Sequence, residues 1–360
     1  MTRMVETIRD LAASAGRPLR LMEVCGTHTV AIFRHGIRDL LPQEIKLLSG
    51  PGCPVCVTSV RDIDTIIALA KQKDIVITTF GDMMRVPGDR ESLFDAKAEG
   101  CDIRIVYSPL DALKLAEVNR RKKIVFFATG FETTSPLVAG TLAEAESRKV
   151  DNFSIYSVHK TVPPALRGLL EDPDVRIDGF ILPGHVTTII GLRPYDFLVR
   201  DYQKPAVVTG FDAGDILRGI LMLVRQIVHG KAFVENEYAR VVKDDGNPRA
   251  VSLLHQFFEA EDVYWRGIGM IPSSGLRLRE EYLHRDIMRI AQVTVPDGQE
   301  PKACSCGDVL KGIKIPADCA LFGRACTPEK PIGACMVSTE GSCAVYYKHS
   351  AARREDHSCG

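Results

Sequence analysis

The chain has 360 residues, 45% of them hydrophobic and 26% charged, which is ordinary for a globular protein of two or three domains. Its 46 basic and 46 acidic side chains cancel, so no net charge draws it to nucleic acid or to an anionic membrane surface. The first residues lack the apolar stretch of a secretory signal, and no apolar run reaches the roughly 18 residues of a membrane span. We therefore expect a cytoplasmic protein that binds neither nucleic acid nor membranes.

From residue 18 onward, short β-rich runs alternate with helix-like stretches such as 60–72 and 110–120. The runs predicted to form strands are 19–24, 45–48, 75–80, 103–107, 124–128, 153–158, 179–182 and 206–209. This alternation is typical of an α/β fold with doubly wound, mostly parallel sheets, and eight strands indicate two of them. After an amphipathic helix at 216–228 the alternation stops. Residues 233–262 are predicted to be helical with an interruption at 246–248, residues 265–278 to be extended and residues 280–293 to be helical.

A weak internal repeat accompanies this pattern. The segments MEVCGTHT (22–29), GPGCPV (50–55) and TTFGDM (78–83) resemble, in the same order, FATGFETT (127–134), LPGHVT (182–187) and VTGFDAGD (208–215). Each segment lies just past a predicted strand, at the sheet edge where open α/β sheets bind ligands. We therefore expect two pseudo-symmetric α/β domains, residues 1–122 and 123–232, whose loops face a shared cleft. A third, irregular domain is expected at 233–360.

Six of the eleven cysteines lie within forty residues, at positions 304, 306, 319, 326, 335 and 343. In the cytoplasm, thiols clustered in a segment with little apolar material are usually metal ligands or redox groups. Zinc sites typically pair their cysteines two to four residues apart, whereas these wide spacings favour a [4Fe–4S] cluster. A structural zinc site or simple buried thiols are the alternatives.

Two ligand sets fit the spacing of these cysteines. Both contain Cys319, Cys326 and Cys343, and they differ in whether Cys304 or Cys306 is the first ligand. If Cys304 is the ligand, Cys306 and Cys335 remain and can form a disulfide beside the cluster. Such a pair would couple one-electron cluster chemistry to two-electron thiol chemistry.

Further thiols lie upstream. Cys53 and Cys56 form a C-x-x-C motif before a predicted helix, where the helix amino terminus is expected to lower the thiol pKa. Cys25 follows a strand and precedes His28, so the pair can provide a soft ligand or a nucleophile with a neighbouring base. Taken alone, a buried cysteine is more often a packing residue.

Four other residues complete the candidates. Glu132 and His185 follow equivalent strands of the second half and add a carboxylate and an imidazole to the expected cleft, although either can instead be a satisfied polar residue. We expect Cys101, in a turn before a strand, to be structural. Cys359 is expected to be a free thiol in the polar tail.

Together these residues resemble the HypD family of hydrogenase maturation factors, which take part in building the Fe(CN)₂CO centre of [NiFe] hydrogenases. The resemblance covers nearly the whole chain through CGTHT (25–29), GPGCPVC (50–56), GFETT (130–134), PGHV (183–186) and the carboxy-terminal cysteine series. One departure is Thr187, where the family pattern has Ser, and the hydroxyl is retained.

The resemblance implies two α/β domains and an iron–sulfur domain. It implies Cys304, Cys319, Cys326 and Cys343 as ligands of a [4Fe–4S] cluster, with Cys306 and Cys335 as a redox pair similar to that of ferredoxin–thioredoxin reductase. It also implies that Cys25, next to His28, binds an iron that is shared with HypC, a small partner. A cyanide-donating partner, HypE, is expected to dock transiently.

The resulting hypothesis is a redox-active assembly scaffold rather than a conventional turnover enzyme. Cys25 holds the iron, and electrons pass from the cluster through Cys306 and Cys335 to Cys53 and Cys56. This passage requires the two thiol pairs to lie close together, because thiol–disulfide exchange proceeds by attack of sulfur on sulfur. The alternatives are a general iron–sulfur disulfide reductase with protein substrates and a non-catalytic module that only docks partners.

Overall fold

The computed structural model describes residues 1–296 and 298–356. Its strands are β1 (Leu19–Glu23), β2 (Ile45–Ser49), β3 (Ile75–Thr79), β4 (Ile103–Ile105), β5 (Lys123–Ala128), β6 (Phe153–Ser157), β7 (Gly179–Pro183), β8 (Ala206–Thr209), β9 (Val234–Asn236), β10 (Phe258–Trp265) and β11 (Gly269–Leu278). All eight strands that the sequence predicts are present, with ends that differ by at most two residues.

Helices connect the strands and cover the sheets. They are α1 (Thr2–Ser14), α2 (Gly26–Arg34), α3 (Ile37–Leu40), α4 (Pro54–Val57), α5 (Val60–Ala70), α6 (Leu93–Ala98), α7 (Pro109–Val118), α8 (Ser135–Ser147), α9 (Val162–Glu171), α10 (Gly184–Ile190), α11 (Asp196–Arg200), α12 (Ala213–Val228), α13 (Pro248–Phe257), α14 (Ile287–Ile290), α15 (Cys306–Leu310) and α16 (Ser342–Asp356). Short 3₁₀ turns occur at Gly81–Arg85, Arg193–Tyr195, Glu280–Arg285, Pro316–Asp318 and Ala334–Met336. Several starts follow from local sequence, since Ser59 and Ser92 each form a capping box with an aspartate three residues later.

The strands form two parallel sheets, which confirms the predicted fold class. Sheet A has the order β2-β1-β7-β8-β9, and sheet B has the order β4-β3-β5-β6. All neighbouring strands within these sheets run parallel. Parallel sheets need crossover connections, which explains why helices separate nearly all of the strands.

The predicted division between residues 122 and 123 does not separate the two sheets. Met22 of β1 pairs with Leu48 of β2 but also with Phe180 of β7, so sheet A combines strands from both predicted halves. The chain leaves sheet A after β2, builds sheet B from β3 to β6, and returns to sheet A at β7. The internal repeat marks strand ends correctly. It does not determine which strands pair, because the two sheets do not coincide with residues 1–122 and 123–232.

One apolar core lies between the two sheets and joins them. It contains Met22 and Phe180 of sheet A together with Ile77 and Phe127 of sheet B, all fully buried. A second apolar cluster covers the outer face of sheet B with residues of α7, α8 and α13. A third covers the outer face of sheet A with residues of α1 and α12. The sheets therefore pack as one body whose strand ends meet at the shared core.

The third part of the chain differs from the predicted helix at 233–262. Helix α13 begins at Pro248, with Asn247 capping Ala250, and ends at Phe257, where the exposed strand β10 follows. Strand β10 pairs with β11 in an antiparallel hairpin. Its side chains alternate between partly buried and exposed positions, which is the period of a strand rather than of the predicted helix. The extended segment predicted at 265–278 corresponds to β11. The helix predicted at 280–293 is reduced to a 3₁₀ turn and α14.

Among the residues described, no helix is both long and apolar enough to span a bilayer.

Candidate thiol and metal site

Both sheets place functional loops at their topological switch points. In sheet A, β1 lies between β2, which follows it in the chain, and β7, which belongs to a later part of the chain. The loops after β1 and β7 are therefore neighbours. In sheet B the same relation holds for β3, which has β4 on one side and β5 on the other. Crevices of this kind are the ligand-binding positions of open α/β sheets. The loops with Cys25, His185 and Glu132 therefore occupy positions suited to binding.

Cys25 is the amino-terminal cap of α2 and is only 9% exposed. Burial raises its pKa to about 11, although hydrogen bonds from the Thr27 side chain and from the backbone of His28 favour the thiolate. The buried Glu23 accepts the backbone N–H of Cys25 at 3.2 Å. Cys25 is therefore a neutral thiol in the isolated protein, surrounded by donors that would stabilise its sulfur once the proton is lost.

The structure fixes the orientation of the His28 ring. Its Nε2 lies 3.0 Å from the carbonyl oxygen of Gly210 and 2.9 Å from the Thr209 hydroxyl. Because a carbonyl oxygen only accepts, we assign the proton to Nε2, which leaves the buried Nδ1 as a lone pair without a protein partner among the described residues. Burial lowers the pKa of His28 to about 4, so the ring is neutral.

His185 reaches the same region from the other side of the crevice. Phe211 stacks between the two imidazoles, with its ring centroid 4.6 Å from that of His28 and 3.9 Å from that of His185. His185 itself is exposed, and its partial desolvation lowers its pKa. The structure thus places His28 and His185 on opposite faces of Phe211, with His28 in the first turn of the helix that begins after Cys25.

The C-x-x-C loop contacts the Cys25 loop through backbone. Gly26 donates its N–H to the carbonyl of Gly52 at 3.1 Å. A Cβ on Gly52 would lie 2.3 Å from the backbone nitrogen of Cys25, so only glycine allows this approach. Cys53 caps α4, and its sulfur accepts the N–H of Cys56 at 3.3 Å.

The expected low thiol pKa at this helix start is not found for Cys56. Burial raises its pKa well above the ordinary value, and this effect outweighs the hydrogen bond with Cys335 that lowers it. Cys56 is only 1% exposed, and α4 has just four residues, so desolvation dominates over the helix dipole. The isolated site thus holds a protonated thiol.

The carboxy-terminal cysteines meet this loop. Cys335 is fully buried, and its pKa lies well above the ordinary value. Its interaction with Cys306 lowers this pKa, but its interaction with Cys56 and its burial together raise the pKa by more. We call Cys53, Cys56, Cys335 and Cys306 the thiol series, since each contacts the next. The sequence separation of 279 residues between Cys56 and Cys335 makes this contact a product of the tertiary fold.

Cys306 also connects the thiol series to further predicted ligands. Its side chain interacts with those of Cys304 and Cys343, and this interaction is the first cause of the raised pKa of each of those two thiols. The sulfur of Cys326 accepts the N–H of Ile332 at 3.3 Å. Cys319 is half-buried at the end of a 3₁₀ turn, near Lys314. Within the described residues, no three side chains are arranged as ligands of one metal ion.

The cysteine segment nevertheless fits a sulfur-bound cluster. A Cβ on Gly333 would lie 2.5 Å from the sulfur of Cys306 and 2.7 Å from that of Cys304, so a glycine leaves room beside the two thiols. A buried guanidinium nitrogen of Arg266 has no hydrogen-bond partner among the residues that the structure describes, and its charge favours the thiolate of Cys304. Soft thiolate donors with a compensating cation are the environment of iron–sulfur clusters. The segment is therefore compatible with metal binding.

Two residues that the sequence did not indicate belong to this region. Glu340 accepts the hydroxyl of Thr27 at 2.8 Å, and Gly26 packs directly against its side chain. Tyr195 is fully buried, and the charges of Glu132 and Cys25 both act on it. No local pattern marks either residue, because each is brought to the site by contacts between distant segments.

Glu132 is buried rather than exposed in an open cleft. One of its carboxylate oxygens accepts the N–H of Val162 at 2.9 Å, and the other has no partner among the described residues. Burial raises its pKa to about 7. Glu132 thus holds a proton near neutral pH, next to Tyr195, at the switch point of sheet B.

We expect Glu132→Gln to stabilise the protein more at pH 8 than at pH 5. Because the pKa is raised from 4.5 to about 7 on folding, the folded state holds the proton more tightly, and the parent loses stability as the pH rises through this window. The full loss in the parent's free energy of unfolding is on the order of 3 kcal/mol. The variant does not show this loss, because glutamine cannot ionise. Urea unfolding of both proteins at the two pH values measures the difference, with the partly exposed Glu144→Gln as control. An equal difference in unfolding free energy between the variant and the parent at both pH values would contradict the raised pKa of Glu132.

The remaining cysteines lie elsewhere. Cys101 lines a surface cavity together with Lys71 and is half-buried. The predicted free thiol Cys359 lies outside the described residues.

The fold and the site define an α/β protein in which buried thiols from two distant parts of the chain meet at the ends of parallel strands. The chain belongs to the HypD family: the family model described as "Hydrogenase formation hypA family" matches residues 1–350. It is 47% identical over 360 residues to the hydrogenase maturation factor HypD of Escherichia coli K12, covering 98% of this chain and 96% of that protein.

Relatives from distant organisms show the same extent of similarity. HypD of Rhodobacter capsulatus is 46% identical over 349 residues, covering 96% of this chain and 93% of the relative. A putative hydrogenase expression/formation protein of Methanocaldococcus jannaschii is 46% identical over 345 residues, with 96% of each chain covered. The resemblance inferred from five short motifs is confirmed over the whole chain.

Proposed function

We propose that this chain is a cytoplasmic maturation factor of [NiFe] hydrogenases that holds one iron while cyanide and CO are added. The observation that supports this most is the continuous contact from the Cys25 loop through the C-x-x-C loop to Cys335 and Cys306. It joins a metal-ligand position to a path for thiol–disulfide exchange. The family membership supports the same assignment.

Cys25 is the proposed protein ligand of the iron cargo. Its thiol loses a proton when the Fe–S bond forms, because its pKa of about 11 keeps it protonated beforehand. The donors at the start of α2 then stabilise the bound sulfur. His28 offers the lone pair of Nδ1 to the same region, as a second ligand or as the acceptor of that proton. The burial of both residues protects the intermediate from water.

The thiol series provides the path for reducing equivalents. When Cys53 and Cys56 are joined in a disulfide, the thiolate of Cys335 attacks the sulfur of Cys56, and Cys53 leaves as a thiolate. Cys306 then attacks Cys335, which forms a Cys306–Cys335 disulfide and releases Cys56. Two protons are taken up by the released thiolates and two are lost by the attacking thiols, so the exchange is balanced.

The proposed ligands of the resident cluster are Cys304, Cys319, Cys326 and Cys343, and the glycine beside the first of these thiols is compatible with that assignment. A bound [4Fe–4S] cluster would supply and accept electrons one at a time. Cys306 contacts Cys335 as the proposed redox pair requires, which favours Cys304 over Cys306 as the ligand.

Two partners complete the proposal. A small HypC-like protein would share the iron at Cys25, and a HypE-like protein would deliver cyanide transiently. A partner that shares the iron must reach a thiol that is only 9% exposed, so it has to insert a short segment into the crevice at the carboxyl ends of β1 and β7. His185 and Glu340 border this entrance and are the first residues it would meet.

Infrared spectroscopy of the anaerobically purified complex with the small partner tests the proposal. Cyanide and carbonyl stretches, together with iron and acid-labile sulfide, are the expected result. An active preparation that lacks these stretches would count against the scaffold. A general disulfide reductase would instead turn over external disulfides without Cys25, which the burial of Cys53 and Cys56 disfavours.

A further inference from the structure

Arg266 is a buried cation that the proposed function does not use. It lies in the turn between β10 and β11 and is only 4% exposed. Its backbone N–H donates to the carbonyl of Val57 at 2.9 Å, and its Nη1 donates to the carbonyl of Pro87 at 2.9 Å. Its Nη2 is buried without a hydrogen-bond partner in the described part of the chain. A buried guanidinium with an unpaired N–H is costly unless a further group accepts it.

The turn that carries Arg266 is pressed against the cysteine segment. A Cβ on Gly307 would lie 2.1 Å from the carbonyl oxygen of Gly267, so the two backbones touch directly beside Cys306. Gly267 is further held by Glu300, which accepts its N–H at 2.9 Å. On the other side, Val57 directly follows Cys56. Arg266 therefore lies between the C-x-x-C loop and the first cysteines of the carboxy-terminal segment.

The charge of Arg266 acts on the thiols. The pKa of Cys304 is raised by its hydrogen bond with Cys306 and by burial, and the guanidinium acts in the opposite direction by favouring the thiolate. The same charge reaches the half-buried Asp64. Within the described residues, however, Arg266 forms no ion pair with a carboxylate. Asp64 is thus a compensating charge beyond ion-pair distance, and thiolates that bind a cluster are the further anions that can balance the guanidinium.

We propose that Arg266 is the counter-charge of the iron–sulfur site, with its free N–H donating to a sulfur atom there. Four thiolates and the cluster carry net negative charge, and taking them out of water requires a compensating cation. A positive charge and an N–H···S hydrogen bond both favour the more negative, reduced state. Arg266 therefore sets the cluster at a higher reduction potential than its thiolates alone would give. This inference rests on the proposed cluster at Cys304 and its partners.

Reductive titration of the full-length protein with its cluster, followed by visible absorption and electron paramagnetic resonance, tests this role. We expect Arg266→Met to shift the midpoint to more negative potential. At the parent's midpoint the ratio of reduced to oxidised cluster should fall by roughly tenfold, the size of effect that outer partners of metal ligands have. Arg266→Lys keeps the charge and should stay closer to the parent. Arg277→Met, on β11 and ion-paired with Glu259, is the matched control and should not move the potential.

An unchanged midpoint in Arg266→Met with an intact cluster would overturn the inference and leave the proposed function standing. A parent protein without iron and sulfide would instead overturn the proposed function itself. If Arg266→Met does not retain a cluster, Arg266→Gln and Arg266→Lys decide. A cluster that is retained in Arg266→Lys and lost in Arg266→Gln supports the role of the charge. Equal cluster content in these two variants contradicts it.

Discussion

A Cys335→Ser variant is expected to keep its Cys53–Cys56 disulfide oxidised under conditions that reduce the disulfide of the parent. Cys335 is the only member of the thiol series with contacts to both Cys56 and Cys306 among the described residues. A serine hydroxyl occupies nearly the same volume but cannot attack a disulfide. Hydrogenase activation should fall to background, while the fold and the cluster are retained.

Anaerobic alkylation followed by mass spectrometry measures this effect, after reduction of the cluster-containing protein by a one-electron donor. Cys101→Ser is the matched control, because Cys101 is half-buried and lies outside the thiol series. Its Cys53 and Cys56 should be reduced as in the parent. Reduction of both cysteines at the parental rate in Cys335→Ser would show that electrons reach the C-x-x-C loop by another path.

A Cys25→Ala variant is expected to lose iron and cyanide capture completely. Alanine removes the proposed iron ligand, whereas Cys53 and Cys56 keep their environment. The Cys25 side chain makes no capping hydrogen bond to α2, so the change removes only the packing of one small buried side chain, at a cost on the order of 1 kcal/mol. This loss is small against the stability of a domain, so the variant should fold.

Infrared spectra of the variant with the small partner should therefore lack cyanide and carbonyl stretches, although its carboxy-terminal cluster remains. The redox state of the C-x-x-C loop provides the internal control, since reduction of Cys53 and Cys56 does not require Cys25. Retained stretches would assign the iron to another residue. Loss of the cluster as well would indicate a general folding defect.

The local signals in the sequence are sufficient for strands β1 to β8 and for the motifs, but not for β9 and β10, which overlap the stretch predicted to be helical. Each predicted strand is a short β-rich run, and the runs that are buried on both faces of a parallel sheet, such as β3 and β7, are distinct in composition. The loops after β1 and β7 could be assigned to ligand binding because parallel strands end at one edge. The assignment of the family required only the order of five motifs.

The pairing of strands could not be derived in the same way. Sheet A joins Met22 to Phe180, and nothing in either segment specifies the other as its neighbour. The internal repeat suggested two equal halves, and the chain instead crosses between the sheets twice. Tertiary packing decides this choice, through the apolar core that the two sheets share.

The chemistry of the thiols was also beyond the sequence. A helix start predicts a low thiol pKa, but Cys56 is buried so completely that desolvation reverses the shift. The contact of Thr27 with Glu340 spans 313 residues, and that of Cys56 with Cys335 spans most of the chain. Burial and long-range contacts thus determine the properties that matter most for the proposed function.

The contact between the two middle members of the thiol series, Cys56 and Cys335, can be trapped directly. In a Cys53→Ala/Cys306→Ser double variant, Cys56 lacks its own partner, Cys335 lacks the thiol that would displace Cys56, and the two remaining thiols face each other. Mild oxidation followed by non-reducing peptide mapping should therefore yield a disulfide between Cys56 and Cys335. A Cys56 that stays free, or that pairs with a cysteine outside the series, would contradict the proposed path from the carboxy-terminal cysteines to the iron site.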